Sequence, residues 1–247
     1  MSLRRSQIRL LYLQIRQDSL TRAEEFQEFV VYSGLDPSQF TVLNVFDTPT
    51  FQPACVDNYD ALFVGGSSDA SVLNPQRYPF VQSAKELMVY CERQGIPVFA
   101  SCFGFQLAVE ALDGKVIADP DQMEMGVYPM QLTAIAQNDL LLHDLPNPFL
   151  AISGHKERAL TLPPLASCLA STERCPYHAF RMGDKPFYGF QFHPELNPQD
   201  LTVRIQRYKA HYLEDDAHLE QVLATLRETP ESNQLIAKFV DRILLAS

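Results

Sequence analysis

Apolar positions along this chain fall into two rhythms, short uninterrupted runs and helically spaced stripes, and their alternation predicts strand followed by helix. Ile8 to Ile15 is a short apolar run that reads as a buried strand. Thr21, with Glu24 three residues on, predicts a capping box opening a helix that runs to about Tyr32. Phe40 to Phe46 and Ala61 to Val64 read as further buried strands, the second ending in Gly65-Gly66-Ser67-Ser68, a backbone without side-chain bulk. Between Pro79 and Gln94, Phe80, Val81, Ala84, Leu87, Met88 and Cys91 keep close to helical spacing, and Gly95 supplies a stop. Pro97 to Ser101 is then a short strand and Gly104 to Leu112 a short helix closed by Gly114. Cys102 therefore falls on a strand-to-helix turn.

This order predicts an α/β fold, a mostly parallel open sheet with helices on both faces, because parallel neighbours need a crossover. Ligands of such sheets gather at the carboxyl ends of the strands. From Val127 to His193 the texture changes to short β-prone pieces, including Met130 to Ile135, Ser167 to Ser171, His178 to Met182 and Phe187 to Phe192, expected to extend or flank the sheet. Beyond it the texture is helical, from Leu201 to about Arg227 and from Glu231 to Leu245, broken at Thr229-Pro230. With no linker or repeat in sight, residues 1–247 read as one domain, of which 199–247 is a helical C-terminal extension. The charged stretch from Gln199 to Arg227 carries Tyr208, Tyr212, Leu213, Leu219 and Leu223. It reads as decoration packed on the domain, as a lid, or as the face of a homodimer.

Charge and composition narrow the function. Thirty acidic against twenty basic residues give a net charge of −10, which opposes a phosphate backbone, and no basic stripe offsets it, so nucleic acid is not an expected partner. No apolar run approaches the ~18 residues of a membrane span. Arg4, Arg5 and Arg9 precede an apolar stretch broken by Gln14 and Arg16 and lacking a small-residue cleavage site, a pattern that points to the cytoplasm. Cys55, Cys91, Cys102, Cys168 and Cys175 form no CxxC pair and show no close Cys/His ligand spacing, so neither a structural zinc nor another metal or cofactor is expected.

A thiol attacks a carbonyl as thiolate, and a helix N-terminus supplies the positive potential that favours it. Cys102 is placed for that, inside Ala100-Ser101-Cys102-Phe103-Gly104-Phe105-Gln106, whose small residues allow the sharp turn of a nucleophile elbow. His193-Pro194-Glu195 follows the alternating strand Phe187 to Phe192, so the histidine emerges at a strand end where a base could reach the thiol. Glu195 could hold the other imidazole nitrogen. Taken singly, a buried free cysteine, a turn histidine and a Gly-Gly turn are ordinary features. Together they describe acyl transfer at a cysteine.

Gly65-Gly66, the elbow with Gln106, and His193-Pro194-Glu195 together resemble the class I glutamine amidotransferases. The resemblance runs from about Arg9 to about Asn197 and takes in Glu124-Met125-Gly126, Pro129 and Leu132-Thr133. It implies a flavodoxin-like fold, attack of Cys102 on a γ-carboxamide, release of ammonia, and hydrolysis of a glutamyl thioester. It also implies an oxyanion hole from the backbone N–H groups of Gly66 and Phe103, and substrate contacts from Gly65, Gln106 and His155. Two departures stand out. Ala100 replaces a glycine before the nucleophile, and Gly154 replaces the serine expected beside His155, which leaves free glutamine as substrate unsettled. Three functions follow: a glutaminase delivering ammonia to a synthetase subunit, a stand-alone γ-glutamyl peptide or amine hydrolase, or a non-catalytic regulatory subunit, against which the intact Cys102, His193 and Glu195 argue.

Overall fold

The structure, a computed structural model, describes residues 3–208 and 216–246; Tyr212 and Leu213 of the predicted helical stretch lie outside these. The elements in order are β1 (Leu10–Gln14), α1 (Ser19–Ser33), β2 (Phe40–Asn44), β3 (Ala61–Val64), α2 (Phe80–Gln94), β4 (Val98–Ser101), α3 (Phe103–Ala111), β5 (Lys115–Ala118), β6 (Glu124–Leu132), β7 (Phe149–His155), β8 (Glu157–Thr161), β9 (Ala166–Ser171), β10 (Ala179–Met182), β11 (Phe187–Phe190), α4 (Pro198–Arg207), α5 (Asp216–Thr225) and α6 (Pro230–Phe239). A π-helical turn over Val240–Leu244 follows α6.

Nine strands form one sheet in the order β2-β1-β3-β4-β11-β10-β9-β6-β7. The first five are parallel, and the rest extend the sheet antiparallel. β5 and β8 make a separate two-stranded ribbon. This is the open, mostly parallel α/β arrangement expected, of flavodoxin-like type, and β1, β3, β4 and β11 are buried along their whole length. Successive residues of a strand face opposite sides, so each strand feeds two cores. Tyr12, Phe63, Phe99 and Phe190 pack with Phe29 of α1 and Phe239 of α6, whereas Leu13, Leu62, Val64 and Val98 pack with Leu87 of α2 and Leu107 of α3.

Helix ends follow local chemistry. α1 begins earlier than the Thr21–Glu24 pairing suggests, because Asp18 is the cap and accepts from the Thr21 amide at 2.9 Å. Glu24 instead pairs with Arg207 at 2.6 Å. α1 and α2 both stop at a left-handed glycine, Gly34 with φ 63° and Gly95 with φ 70°.

The antiparallel half departs most from expectation. β6 starts at Glu124 rather than Met130, Ile135–Asn138 is a 3-10 turn, and β7, β5 and β8 were not foreseen as strands. Gly126 and Pro129 disguise β6 as loop sequence. Pro129 is tolerated because β6 pairs with β9 only at Gln131 and Leu132, leaving one neighbouring strand beside the proline. The described part of the 199–227 stretch packs on its own chain: Leu201, Ile205 and Val222 cover Met125, Val127 and Ile152. The Thr225 hydroxyl accepts from the Val127 amide at 3.2 Å. Among the described residues no helix is long and apolar enough to cross a membrane.

Phe239 is fully buried and meets Phe99 edge-on at 5.5 Å and Phe63 at 5.7 Å. Phe239→Ala should therefore cost about 3–5 kcal/mol in urea unfolding. A loss below about 1 kcal/mol would show that α6 is peripheral to the core.

Candidate active site

The carboxyl ends of three adjacent parallel strands, β3, β4 and β11, converge where Gly65-Gly66, Cys102 and His193 emerge. Cys102 is the residue between β4 and α3, with φ 48° and ψ −98°, a conformation an L-residue adopts only under constraint. Three backbone bonds supply the constraint. Its amide donates to the Phe190 carbonyl at 2.7 Å, its carbonyl accepts from Gln106 at 3.1 Å, and the Gly104 amide donates to Gly65 at 3.3 Å. Gly104 has to lack a side chain, since a Cβ there would stand 2.9 Å from the Val64 carbonyl and side chain.

His193 is fixed by its amide, which donates to the Ile152 carbonyl at 2.8 Å. Its Nδ1 lies 2.6 Å from Glu195 Oε1, and its ring and the Cys102 side chain flank the same point beside Gly66, where a Cβ would stand 3.0 Å from His193 Cε1 and 3.6 Å from Cys102 Cβ. Cys102, His193 and Glu195 are thus brought together, and all three are buried. Burial opposes a charged imidazole, but attraction to Cys102 and Glu195 outweighs it and lifts His193 to about 10. Burial likewise opposes the Glu195 carboxylate, and the facing His193 overrides it, holding Glu195 below its ordinary value. The His-Pro-Glu turn is clamped from α6: Asn233 Nδ2 donates to the carbonyls of Pro194 at 2.8 Å and Leu196 at 2.7 Å.

Gly65 and Gly66 sit over a buried network. Glu25 Oε1 accepts from Arg16 Nη2 at 2.7 Å and from Arg16 Nε at 2.9 Å, and Glu25 Oε2 accepts from the Tyr12 hydroxyl. The Gly66 amide, expected to face an oxyanion, donates to Glu25 Oε1 at 3.1 Å in this structure. What Gly66 provides is room, because a Cβ there would lie 2.9 Å from Arg16 Nη2 and 3.0 Å from His193 Cε1. Gly65 is also engaged, its amide donating to Leu13 at 3.2 Å and its carbonyl accepting from Gly104. Phe103 lines the cleft as the first residue of α3, where amides have no partner within the helix.

A cleft of about 190 Å³ opens onto Cys102, walled by residues 67–71 on one side and 154–157 on the other. Gln106 reaches it, with its Nε2 donating to the Glu157 carbonyl at 2.9 Å. His155, expected to contact substrate, contributes to the wall, with its side chain 1% exposed and 3.3 Å from Glu124. The Gly154 carbonyl, by contrast, faces the Cys102 sulfur at 3.9 Å. The reading that the cysteines lack close histidine spacing needs correcting: Cys175 precedes His178 by three residues, and the fold sets His155 beside both. Sequence reasoning missed Arg16, Glu25 and Asn233. Each acts through a contact distant in the chain, and only a charged residue inside an apolar run, Arg16, gave a local hint.

Comparison with known proteins shows the family and the fold. The family model for class I glutamine amidotransferases matches residues 27–210, well over half of the chain. Among sequences, the chain is 33% identical over 132 residues to a GMP synthase [glutamine-hydrolyzing] of Aliivibrio salmonicida, covering 53% of this chain and 23% of that one. A GMP synthase [glutamine-hydrolyzing] of Vibrio atlanticus is 35% identical over 107 residues, covering 43% and 20%. The matched part thus spans about a fifth to a quarter of these relatives. Among solved structures, a glutamine amidotransferase from Thermotoga maritima shares the fold at a TM-score of 0.78 with 18% identity, over 96% of this chain and 98% of that one. One from Methylobacillus flagellatus does so at 0.70 with 18% identity, over 94% of each.

The charge arrangement has a direct readout. A histidine lifted to about 10 in the fold, from about 6.5 unfolded, contributes stability that is complete below pH ~6.5 and lost as pH rises through ~10. Side-chain nitrogen NMR should find His193 protonated at pH 8, and Glu195→Gln should move its midpoint down by at least about one unit. An ordinary midpoint in both proteins would contradict the assignment.

Proposed function

Because the chain belongs to the class I glutamine amidotransferase family, we propose that it hydrolyses the γ-carboxamide of glutamine through a thioester at Cys102 and releases ammonia. The observation that carries this reading is the buried relay from Glu195 through His193 to Cys102, opening on a small polar cleft.

In this mechanism the Cys102 thiolate attacks the γ-carbonyl carbon. His193, held as imidazolium by Glu195, gives its proton to the departing nitrogen, and ammonia leaves. Neutral His193 then takes a proton from water, whose oxygen attacks the thioester, and the C–S bond breaks to restore the Cys102 thiolate beside imidazolium while the product acid loses its proton to solvent as glutamate. The Phe103 amide at the start of α3 is the donor nearest in sequence to the sulfur for the tetrahedral oxyanion. Asp69 and Glu157 mix with Lys156 and the hydroxyls of Ser68 and Ser71 on the cleft walls, a lining suited to a small zwitterion. The relatives' names, GMP synthase [glutamine-hydrolyzing], support a synthetase as the class of enzyme that takes up the ammonia.

The reading is tested by ammonia and glutamate release from glutamine, with γ-glutamyl peptides and amines run alongside. Cys102→Ala should lose at least about 10³-fold in kcat. Cys91→Ala should stay within about twofold of the parent, since that thiol is on the buried face of α2 and burial holds its pKa well up. Gly66→Ala should lower kcat by about tenfold or more, through the contact its methyl would make with His193. Turnover surviving in Cys102→Ala would end the proposal. Turnover of γ-glutamyl amides with glutamine inert would move the substrate to that class.

A further inference from the structure

A second cluster of reactive side chains lies next to the active site and has no part in the reaction above. His155 at the end of β7, Cys175 between β9 and β10, and His178 just before β10 each offer one donor atom, all within 4.8 Å of one another. All three are buried, at 4% exposure or less. Behind them stands Glu124, the first residue of β6, whose Oε2 lies 2.6 Å from His178 Nε2 and 3.3 Å from His155 Nε2. Thr172 donates to Glu124 Oε1 at 2.5 Å and Ser153 to its Oε2 at 3.2 Å, so the carboxylate is held from several sides.

One atom in this cluster has no hydrogen-bond partner. His178 Nδ1 is fully buried and unpaired, although the opposite nitrogen of the same ring is bonded to Glu124. A buried polar nitrogen without a partner is costly and calls for an explanation. An imidazole backed by a carboxylate on one nitrogen, with the other aimed at a thiol and a second imidazole, is the arrangement that orients histidine ligands toward a metal.

One sulfur and two imidazoles form a borderline-soft donor set of the kind zinc takes, and tetrahedral bond lengths would bring the donors to about 3.3–3.8 Å apart, a contraction of about an ångström.

We propose that His155, Cys175 and His178 bind one zinc-class divalent ion, His178 through Nδ1, with Glu124 orienting both imidazoles from behind. The ion would tie the end of β7 to the β9–β10 connection, and so brace the strand whose Gly154 carbonyl faces Cys102.

Cobalt(II) titration of the chelator-treated full chain tests this independently of glutamine turnover. One equivalent should bind, with the visible spectrum of a tetrahedral site and a thiolate-to-cobalt charge-transfer band. Cys175→Ser should lose the charge-transfer band. His178→Gln, which keeps an amide able to donate to Glu124, should lose tight binding while remaining folded by circular dichroism. Glu124→Gln should weaken binding by about 10- to 100-fold. Cys102→Ala should bind as the parent does, and zinc should raise the melting temperature of the parent but not of His178→Gln. A parent chain that gives no band, or a band that persists in His178→Gln or disappears in Cys102→Ala, would overturn the site.

Discussion

The backbone of Cys102 is the constraint on which the site depends. An L-residue at φ 48° and ψ −98° costs on the order of 1–3 kcal/mol, and the conformation persists only where the surroundings over-determine it. Here the Phe190 carbonyl holds its amide and the first turn of α3 holds its carbonyl. The absence of a side chain at Gly104 lets α3 close onto Val64. The tight turn lifts the sulfur off the sheet to where His193, arriving from the neighbouring strand β11, can meet it. The parallel order β3-β4-β11 is what makes those two strand ends adjacent.

Around that turn the protein places an unusual number of charges out of water. Arg16 pairs with Glu25 beneath Gly66, Arg204 with Glu28 under α1, and His193 with Glu195, all at 8% exposure or less. Such pairs recover little net stability once desolvation is counted, but removing one member strands the other. Their consequence is geometric: each pair fixes the backbone or ring it touches. The clamp of Asn233 on Pro194 and Leu196 extends this to the C-terminal helix α6, which thereby belongs to the machinery that holds His193 in place.

The parallel half of the molecule was legible because β1, β3 and β4 are buried on both faces and so appear as unbroken apolar runs, and because Gly34 and Gly95 end their helices by local geometry. Cys102 was legible because it lies at the end of such a run, and His193-Pro194-Glu195 because it follows the alternating strand Phe187 to Phe192. β6 and β7 were not, since Gly126, Pro129 and Gly154 are loop residues by propensity and are held in strands only by their neighbours. The engagement of the Gly66 amide by Glu25 depends on a helix 41 residues away in the chain, which no local pattern can report. For the second cluster the sequence held half a signal, Cys175 three residues before His178, and the fold supplied His155 and Glu124 from two other strands.

Membership of the class I glutamine amidotransferases and the strained cysteine elbow together lead to one central claim, that Cys102 forms a covalent glutamyl intermediate. A diazo-ketone analogue of glutamine converts that transient thioester into a stable thioether, so its site of attachment reports the nucleophile. Peptide mass spectrometry after incubation should find a single adduct, on Cys102, with Cys91 and Cys175 unmodified and with labelling slowed by excess glutamine. An adduct on another residue, or glutamine turnover that continues with Cys102 fully labelled, would contradict the account.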